Sequence, residues 1–186
     1  MIYNTNLLGD FSILRHVRPE DAEFILSLRL NPETSKFLHS TDPSIEKQKS
    51  WIKEQQLRQG DYYFIIEDKA GVSFGTVGLY NIDAGKRAEF GRWICVNSAV
   101  IAIESFMLVH DFGFEALGLE KIFSRIVVEN SRVISAHERF GYRKIKEINS
   151  ESLPGQILLE LEVEKERYAQ KRKTGRELLK QRLGKN

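Results

Sequence analysis

Between Tyr62 and Cys95 the chain sets three β-prone runs in close succession. Tyr62-Tyr-Phe-Ile-Ile-Glu67 is followed by Asp68-Lys-Ala-Gly71, the run from Ser73 to Asn81 by Asp83-Ala-Gly-Lys86, and Arg87-Ala-Glu-Phe-Gly-Arg-Trp-Ile-Cys95 completes the set. β-Branched and aromatic residues suit a pleated, half-buried surface. Turns this short can join only antiparallel neighbours. The segment therefore predicts a three-stranded antiparallel meander, around which the rest of the chain must fit.

The pattern then changes period. From Ile101 to Leu117, Ile103, Phe106, Met107, His110, Phe114 and Leu117 fall on one helical face, while Leu108, Val109 and Phe112 make the segment apolar nearly all round. Such a helix is expected to be buried against a sheet, and Gly118 stops it. Upstream, Phe11 to Val17 reads as a strand. A helix opens at Arg18-Pro-Glu-Asp21 with an apolar stripe of Phe24, Ile25, Leu28 and Leu30, and Asn31-Pro32 interrupts it. A second helix starts at Ser44, carries Gln48, Trp51, Ile52 and Leu57, and ends at Gly60-Asp61. Downstream, Lys121 to Val128 is a strand, Asn130 caps a helix running to Phe140, and Gly141 closes it. Tyr142 to Ile148 and Ile157 to Val163 are the last strands, with Pro154-Gly155 in the loop between them. The predicted order is β-α-α-β-β-β-α-β-α-β-β, one α/β (α+β) domain with a mixed sheet over residues 1–164, followed by a basic helical tail over 165–186.

Composition excludes several classes. With 41% hydrophobic and 29% charged residues the chain is globular. No apolar run approaches the roughly 20 residues of a membrane helix, and the first ten residues lack a leader pattern, so a cytoplasmic location is expected. Cys95 is the single cysteine, so an internal disulfide or a multi-cysteine zinc site is excluded. His16, His39, His110 and His137 show no ligand spacing, which argues against a metal. Residues 165–186 carry nine Lys/Arg against Glu166 and Glu177, so a chain of net charge +2 has a body near −5. An acidic body without a helix-turn-helix or an aromatic-basic stripe disfavours nucleic acid. The tail reads as a solvated helix, with contact to nucleic acid or an anionic surface as the alternative.

The stretch Ala88 to Tyr142 resembles the GNAT superfamily of N-acetyltransferases. Ala88-Glu-Phe-Gly-Arg-Trp-Ile94 resembles the strand before the CoA loop, and His110-Asp-Phe-Gly-Phe-Glu-Ala-Leu-Gly-Leu-Glu-Lys-Ile122 the end of the CoA-loop helix. Val128-Glu-Asn-Ser131 with Ala136-His-Glu-Arg-Phe-Gly-Tyr142 resembles the later strand-to-helix segment. With the opening Leu14-Arg15 and Pro19-Glu-Asp21, the resemblance spans about residues 10–164. It is strongest toward the branch of ribosomal-protein N-terminal acetyltransferases and amino-sugar-nucleotide N-acetyltransferases, through Glu46-Lys-Gln-Lys-Ser-Trp-Ile52 and Gly75-Thr-Val-Gly-Leu-Tyr-Asn-Ile82.

The resemblance implies a mixed, mostly antiparallel central sheet flanked by helices, with acetyl-CoA as co-substrate and no metal. It implies that Trp93, Ile94, Cys95, Ser98, Ala99, Val100, Ile101, Ala102, Ile103 and Asn130 bind the cofactor, the pyrophosphate meeting a helix N-terminus. Val100 stands where the family carries glycine, and a β-branched residue resists positive φ. An ordinary strand-to-helix turn is the alternative for this loop, and a plain helix cap for Asn130. Glu89 is the candidate general base, against a simple ion pair with Arg87 or Arg92. His137 is the candidate acid for the leaving thiolate, against a satisfied core histidine. A covalent role for Cys95 is disfavoured because no base adjoins it. Trp51, Tyr62 and Tyr80 are expected to wall an acceptor pocket, since aromatic faces suit sugars and bases. The leading expectation is acetylation of a primary amine on a nucleotide-linked amino sugar, in a monomer or homodimer. The alternatives are the α-amine of a ribosomal protein, and a non-catalytic ligand-binding module.

Overall fold

A computed structural model describes residues 5–150 and 154–183. The first residues, where the absence of a leader was read, the middle of the loop before Pro154 and the last three residues of the tail lie outside them.

Strands β1 (Leu7–Leu8) and β2 (Ser12–His16) lead through a 3₁₀ turn at Pro19–Asp21 into α1 (Ala22–Leu30). A short α2 (Pro32–Ser35) follows the break that Asn31-Pro32 imposes, and Asn31 caps it by accepting from the Glu33 N–H. Helix α3 (Ile45–Gln56) starts at the Ser44 cap. The meander is β3 (Tyr62–Asp68), β4 (Ser73–Tyr80) and β5 (Arg87–Cys95). Helix α4 (Ala99–Asp111) continues as a π-helical turn at Phe112–Ala116, where a single uninterrupted helix was expected. Then come β6 (Lys121–Val127), α5 (Ser131–Arg139), β7 (Arg143–Asn149), β8 (Ile157–Glu164) and α6 (Lys165–Leu183).

All eight strands form one sheet in the order β1-β2-β3-β4-β5-β6-β8-β7. Every pairing is antiparallel except β5 with β6, which the α4 crossover makes parallel. That parallel pair is short: only Arg87–Glu89 match Lys121–Phe123, although both strands run on. The sheet therefore opens between β5 and β6 beyond Glu89.

One face of the sheet carries the main core. Phe64, Val77, Leu79, Ala88, Phe90 and Ile122 pack there against Phe106 and Val109 of α4. On the other face Ile25 of α1 and Ile52 of α3 meet Val17, Tyr63 and Ile65 in a second, smaller core. These two helices cover β2 to β4, and the polar side chains of Arg87, Glu89, Arg125, Glu160 and Glu162 occupy the rest of that face.

Two polar features lock the main core. The Glu104 carboxylate, buried within the otherwise apolar α4, accepts from the N–H groups of Asp10 (2.7 Å), Phe11 (2.9 Å) and Ser12 (2.6 Å) and from Ser12 Oγ (2.6 Å). It ties the turn before β2 to α4 with no room to spare, since a Cβ on Gly9 would collide with it. The basic tail helix also contributes to the core. Tyr168 of α6 shares its one hydroxyl proton between Asp111 Oδ1 (2.9 Å) and Met107 O (3.1 Å), and Arg172 forms a bidentate pair with Asp111. Gly175 lies so close to Phe140 that an added Cβ would stand 2.6 Å from its ring.

Candidate active site

The opening in the sheet has a cause on each side. On β5, Phe90 and Trp93 both pack toward the main core although they lie three residues apart, so one residue is extra. The register shift opposite Thr76/Gly78 marks this bulge, and Arg92 takes its left-handed conformation at φ 52°. Thr76 Oγ1 donates to Arg92 O at 2.7 Å and holds the bulge. On β6, Ser124 replaces the ladder at the point of divergence by donating its hydroxyl to Phe90 O (3.0 Å).

Beyond the bulge, Val96 N–H bonds Phe74 O of β4 at 2.9 Å. Main-chain groups alternate along a strand, so those of Ile94 also face β4, while those of Cys95 and Trp93 face the opening. The indole Nε1 of Trp93 is buried without an acceptor among the described residues. The opening leads to the N-terminus of α4. Ser98 Oγ accepts from Ile101 N–H (3.2 Å), and Ala102 N–H bonds Ser98 O (3.0 Å). The amides of Ala99 and Val100 have no partner within the helix. Val100 lies in the first helical turn. The residue with positive φ is Asn97, at 63°, and Asn tolerates that conformation. The conflict expected at Val100 therefore does not arise.

Glu89 sits at the vertex of the opening, on the face away from α4, with 9% of its surface exposed. Its Oε2 accepts from Asn81 Nδ2 (3.0 Å) and Arg125 Nη1 (3.3 Å), and neither reaches Oε1. The ion-pair partner is thus Arg125, in place of the expected Arg87 or Arg92. Arg87 instead binds Glu160 and Glu162.

Arg92 organises the aromatic wall beside Glu89. It pairs in bidentate fashion with Asp61, and its guanidinium lies 4.1 Å from the ring centroid of Tyr80, 5.1 Å from Trp51 and 5.2 Å from Tyr63. Burial, with the Glu89 charge second, pushes the Tyr80 hydroxyl above its ordinary pKa. Trp51 meets Tyr63 edge-on at 5.9 Å. Tyr62 does not join this group, because strand alternation sends its ring to Phe112 on the main-core face.

His137 is enclosed, with 1% exposure. Its Nδ1 donates to Val133 O (2.8 Å), and Nε2 lies 3.1 Å from Ser124 Oγ. Burial holds its pKa down at about 4, so near neutral pH it is uncharged. A neighbouring set is equally closed: His110 Nδ1 donates to Phe106 O, and Tyr142 donates its hydroxyl to His110 Nε2, both at 2.7 Å. Asn130 caps α5 by accepting from Val133 N–H at 3.4 Å, which leaves its amide NH₂ free to donate. Burial pushes the Cys95 thiol up to about 12, which removes the thiolate a nucleophile requires. Among the described residues no His/Cys/Asp/Glu group could hold a metal ion, and no helix is long and apolar enough to cross a membrane.

Sequence reasoning missed Asp61, Asn81 and Ser124, and gave Arg92 only as a possible partner of Glu89. A lone small hydroxyl in the apolar strand Lys121–Val127, and an arginine inside an aromatic one, were the available signals.

Residues 12–143 match the family model described as an acetyltransferase (GNAT) domain. No match was found among curated proteins. Among solved structures, apo FdhC, described as a nucleotide-linked sugar GNAT, is 30% identical over 90% of this chain and 94% of its own, with a TM-score of 0.78. A GCN5-related N-acetyltransferase from Brucella melitensis is 20% identical over 95% of this chain and 86% of its own, at 0.79. Spermidine N-acetyltransferase from Vibrio cholerae, in complex with CoA and spermine, is 21% identical over 87% of this chain and 99% of its own, at 0.76.

Proposed function

Because the chain belongs to the GNAT acetyltransferase family, whose enzymes use acetyl-CoA, we propose that it acetylates the primary amine of a nucleotide-linked amino sugar, by direct transfer with both substrates bound. The carrying observation is the position of Glu89, a carboxylate at the vertex of the opening with one oxygen left for an incoming ammonium.

The residues along the opening fit the cofactor. Trp93 and Cys95 offer main-chain groups as an added strand would need them, and Trp93 Nε1 offers a buried donor still lacking an acceptor. The amides of Ala99 and Val100 suit an anion at the head of α4. Asn130 can add its amide NH₂. Ile94, Ile101, Ala102 and Ile103 supply wall, their main-chain groups being turned to β4 or spent within α4. When bound, acetyl-CoA supplies an activated thioester carbonyl.

Glu89 takes a proton from the acceptor ammonium, directly or through water, and Asn81 and Arg125 hold its Oε2 while this happens. With acetyl-CoA bound, the amine freed in this way would be placed to attack the thioester carbonyl, and the proton the nitrogen then sheds would pass to the departing sulfur, giving the amide and the CoA thiol. His137, enclosed and uncharged, acts as a positioning residue: its ring packs behind Ser124 where β5 and β6 part. The acid role is not carried forward, because the ring is 1% exposed and its one proton is donated to Val133 O.

The sugar-nucleotide reading draws on the likeness to FdhC over nearly the whole chain and on the wall of Trp51, Tyr63 and Tyr80 around Arg92. A polyamine would instead meet the half-buried guanidinium of Arg29, which bonds only Thr41 and His39 among the described residues and repels a cation. The acidic side chains Glu160 and Glu162, which could attract a protein α-amine, are paired with Arg87, Arg125 and Lys121. The test is CoA release from acetyl-CoA with a panel of UDP- and dTDP-linked amino sugars, spermidine and N-terminal peptides. Preferred turnover of a sugar nucleotide is the expected result, and preferred turnover of spermidine or a peptide overturns the reading.

A further inference from the structure

One arginine beside the aromatic wall has no counter-charge. Arg29, in the last turn of α1, directs Nε to Thr41 Oγ1 (2.9 Å) and Nη2 to His39 Nε2 (3.1 Å). Both partners are neutral acceptors. Arg15, Arg87, Arg92, Arg125 and Arg172 each meet a carboxylate, and among the described residues Arg29 meets none. Beyond His39, the ionisable groups whose charges act on it are Tyr63, Arg92 and Tyr80, and burial, the largest influence, pulls its pKa down, the Arg92 charge adding to this. His39 is pushed the same way by burial and by Arg29, which keeps it an acceptor. A half-buried cation beside a second cation is costly to hold. Two of the five guanidinium N–H groups are spent on Thr41 and His39, so three remain, among them both on Nη1.

Resting on the acceptor reading above, we propose that Arg29, oriented by His39 and Thr41, is the subsite for a phosphate of the acceptor's diphosphate. A guanidinium fork with spare donors matches phosphate oxygens in pairs. Arg92 adds a second positive charge nearby, although Asp61 already engages it. The anion would anchor the end of the substrate away from the amine, while Glu89 meets the amine. If Arg29 were only a latch for the loop from Lys36 to Asp42, its removal would lower stability and leave ligand affinity unchanged.

The experiment uses the full chain saturated with CoA, so that the α4 N-terminus is filled and cannot take up added phosphate. UDP and dTDP are then titrated by calorimetry into wild type, Arg29→Gln and Arg29→Lys. Wild type should bind at least one of them, Arg29→Gln about tenfold or more weakly, and Arg29→Lys in between, since it keeps the charge but loses the fork. Unchanged CoA affinity in the variants confirms that they are folded. Equal nucleotide affinity in wild type and Arg29→Gln overturns the Arg29 subsite and leaves the sugar-nucleotide reading standing. Absence of UDP and dTDP binding to wild type, with turnover of an uncharged or polycationic amine, overturns both.

Discussion

The two faces of the sheet differ in where they leave hydrogen-bonding capacity unspent. On the α4 side, His110, Tyr142, Ser124 and Glu104 are bonded within the protein and His137 is enclosed, and the spare donor, Trp93 Nε1, lies at the opening itself. On the other side, among the described residues, Glu89 has an oxygen without a donor and Arg29 has donors without an acceptor. A satisfied buried group stabilises the fold and has nothing left to offer. A group with spare capacity has been desolvated for something that comes and goes. Residue type does not separate the two classes. His137 is in sequence a candidate acid or a core histidine, and its 1% exposure and bond to Val133 O favour the second.

The sharpest way to break this comparison is Glu89→Gln. It should lower kcat by about 10²–10⁴ while the CoA dissociation constant and the urea midpoint stay near wild type; a normal kcat removes Glu89 from the chemistry. Glu104→Ala should do the reverse. Stranding three main-chain N–H groups should cost about 3 kcal/mol of unfolding free energy, read by urea denaturation, with kcat per folded molecule retained.

The histidines make the same point through pH. His110 is held at about 3 and His137 at about 4, both from an ordinary 6.5. Between roughly pH 6.5 and pH 4 the unfolded chain therefore binds protons that the folded chain refuses, so stability falls as pH falls, by on the order of 3 kcal/mol per histidine at most. Denaturation midpoints that stay flat across that window would show that the two rings are not held neutral. Ser124→Ala should cost about 1–2 kcal/mol by leaving Phe90 O without its donor, and should weaken CoA binding modestly. Asn97→Ala should have the smallest effect, about 1 kcal/mol, because alanine lacks the tolerance of asparagine for positive φ.

Much of this was legible along the chain. The meander, the buried helix and the Ser44 and Asn130 caps follow from local periodicity and turn chemistry. The insertion of β8 between β6 and β7 was not, since pairing across a sheet leaves no mark on either strand. Glu89 could be proposed because it lies within a motif. Arg29 could not, because its significance is the carboxylate it lacks, and only a census of neighbours in space reveals that. The difficulty foreseen at Val100 came from matching it to the family's loop glycine. The loop instead makes its left-handed step at Asn97, three residues earlier.

The brevity of the parallel contact, three residues on each strand, means that two antiparallel rafts meet along a seam. One is β1 to β5, the other β6 to β8. Each can zip up from near neighbours, whereas joining them requires the whole α4 excursion to close. The seam is therefore the last part to assemble and among the first to loosen. A thioester laid along it would act as a staple, and slower amide exchange should reach both rafts when CoA is present.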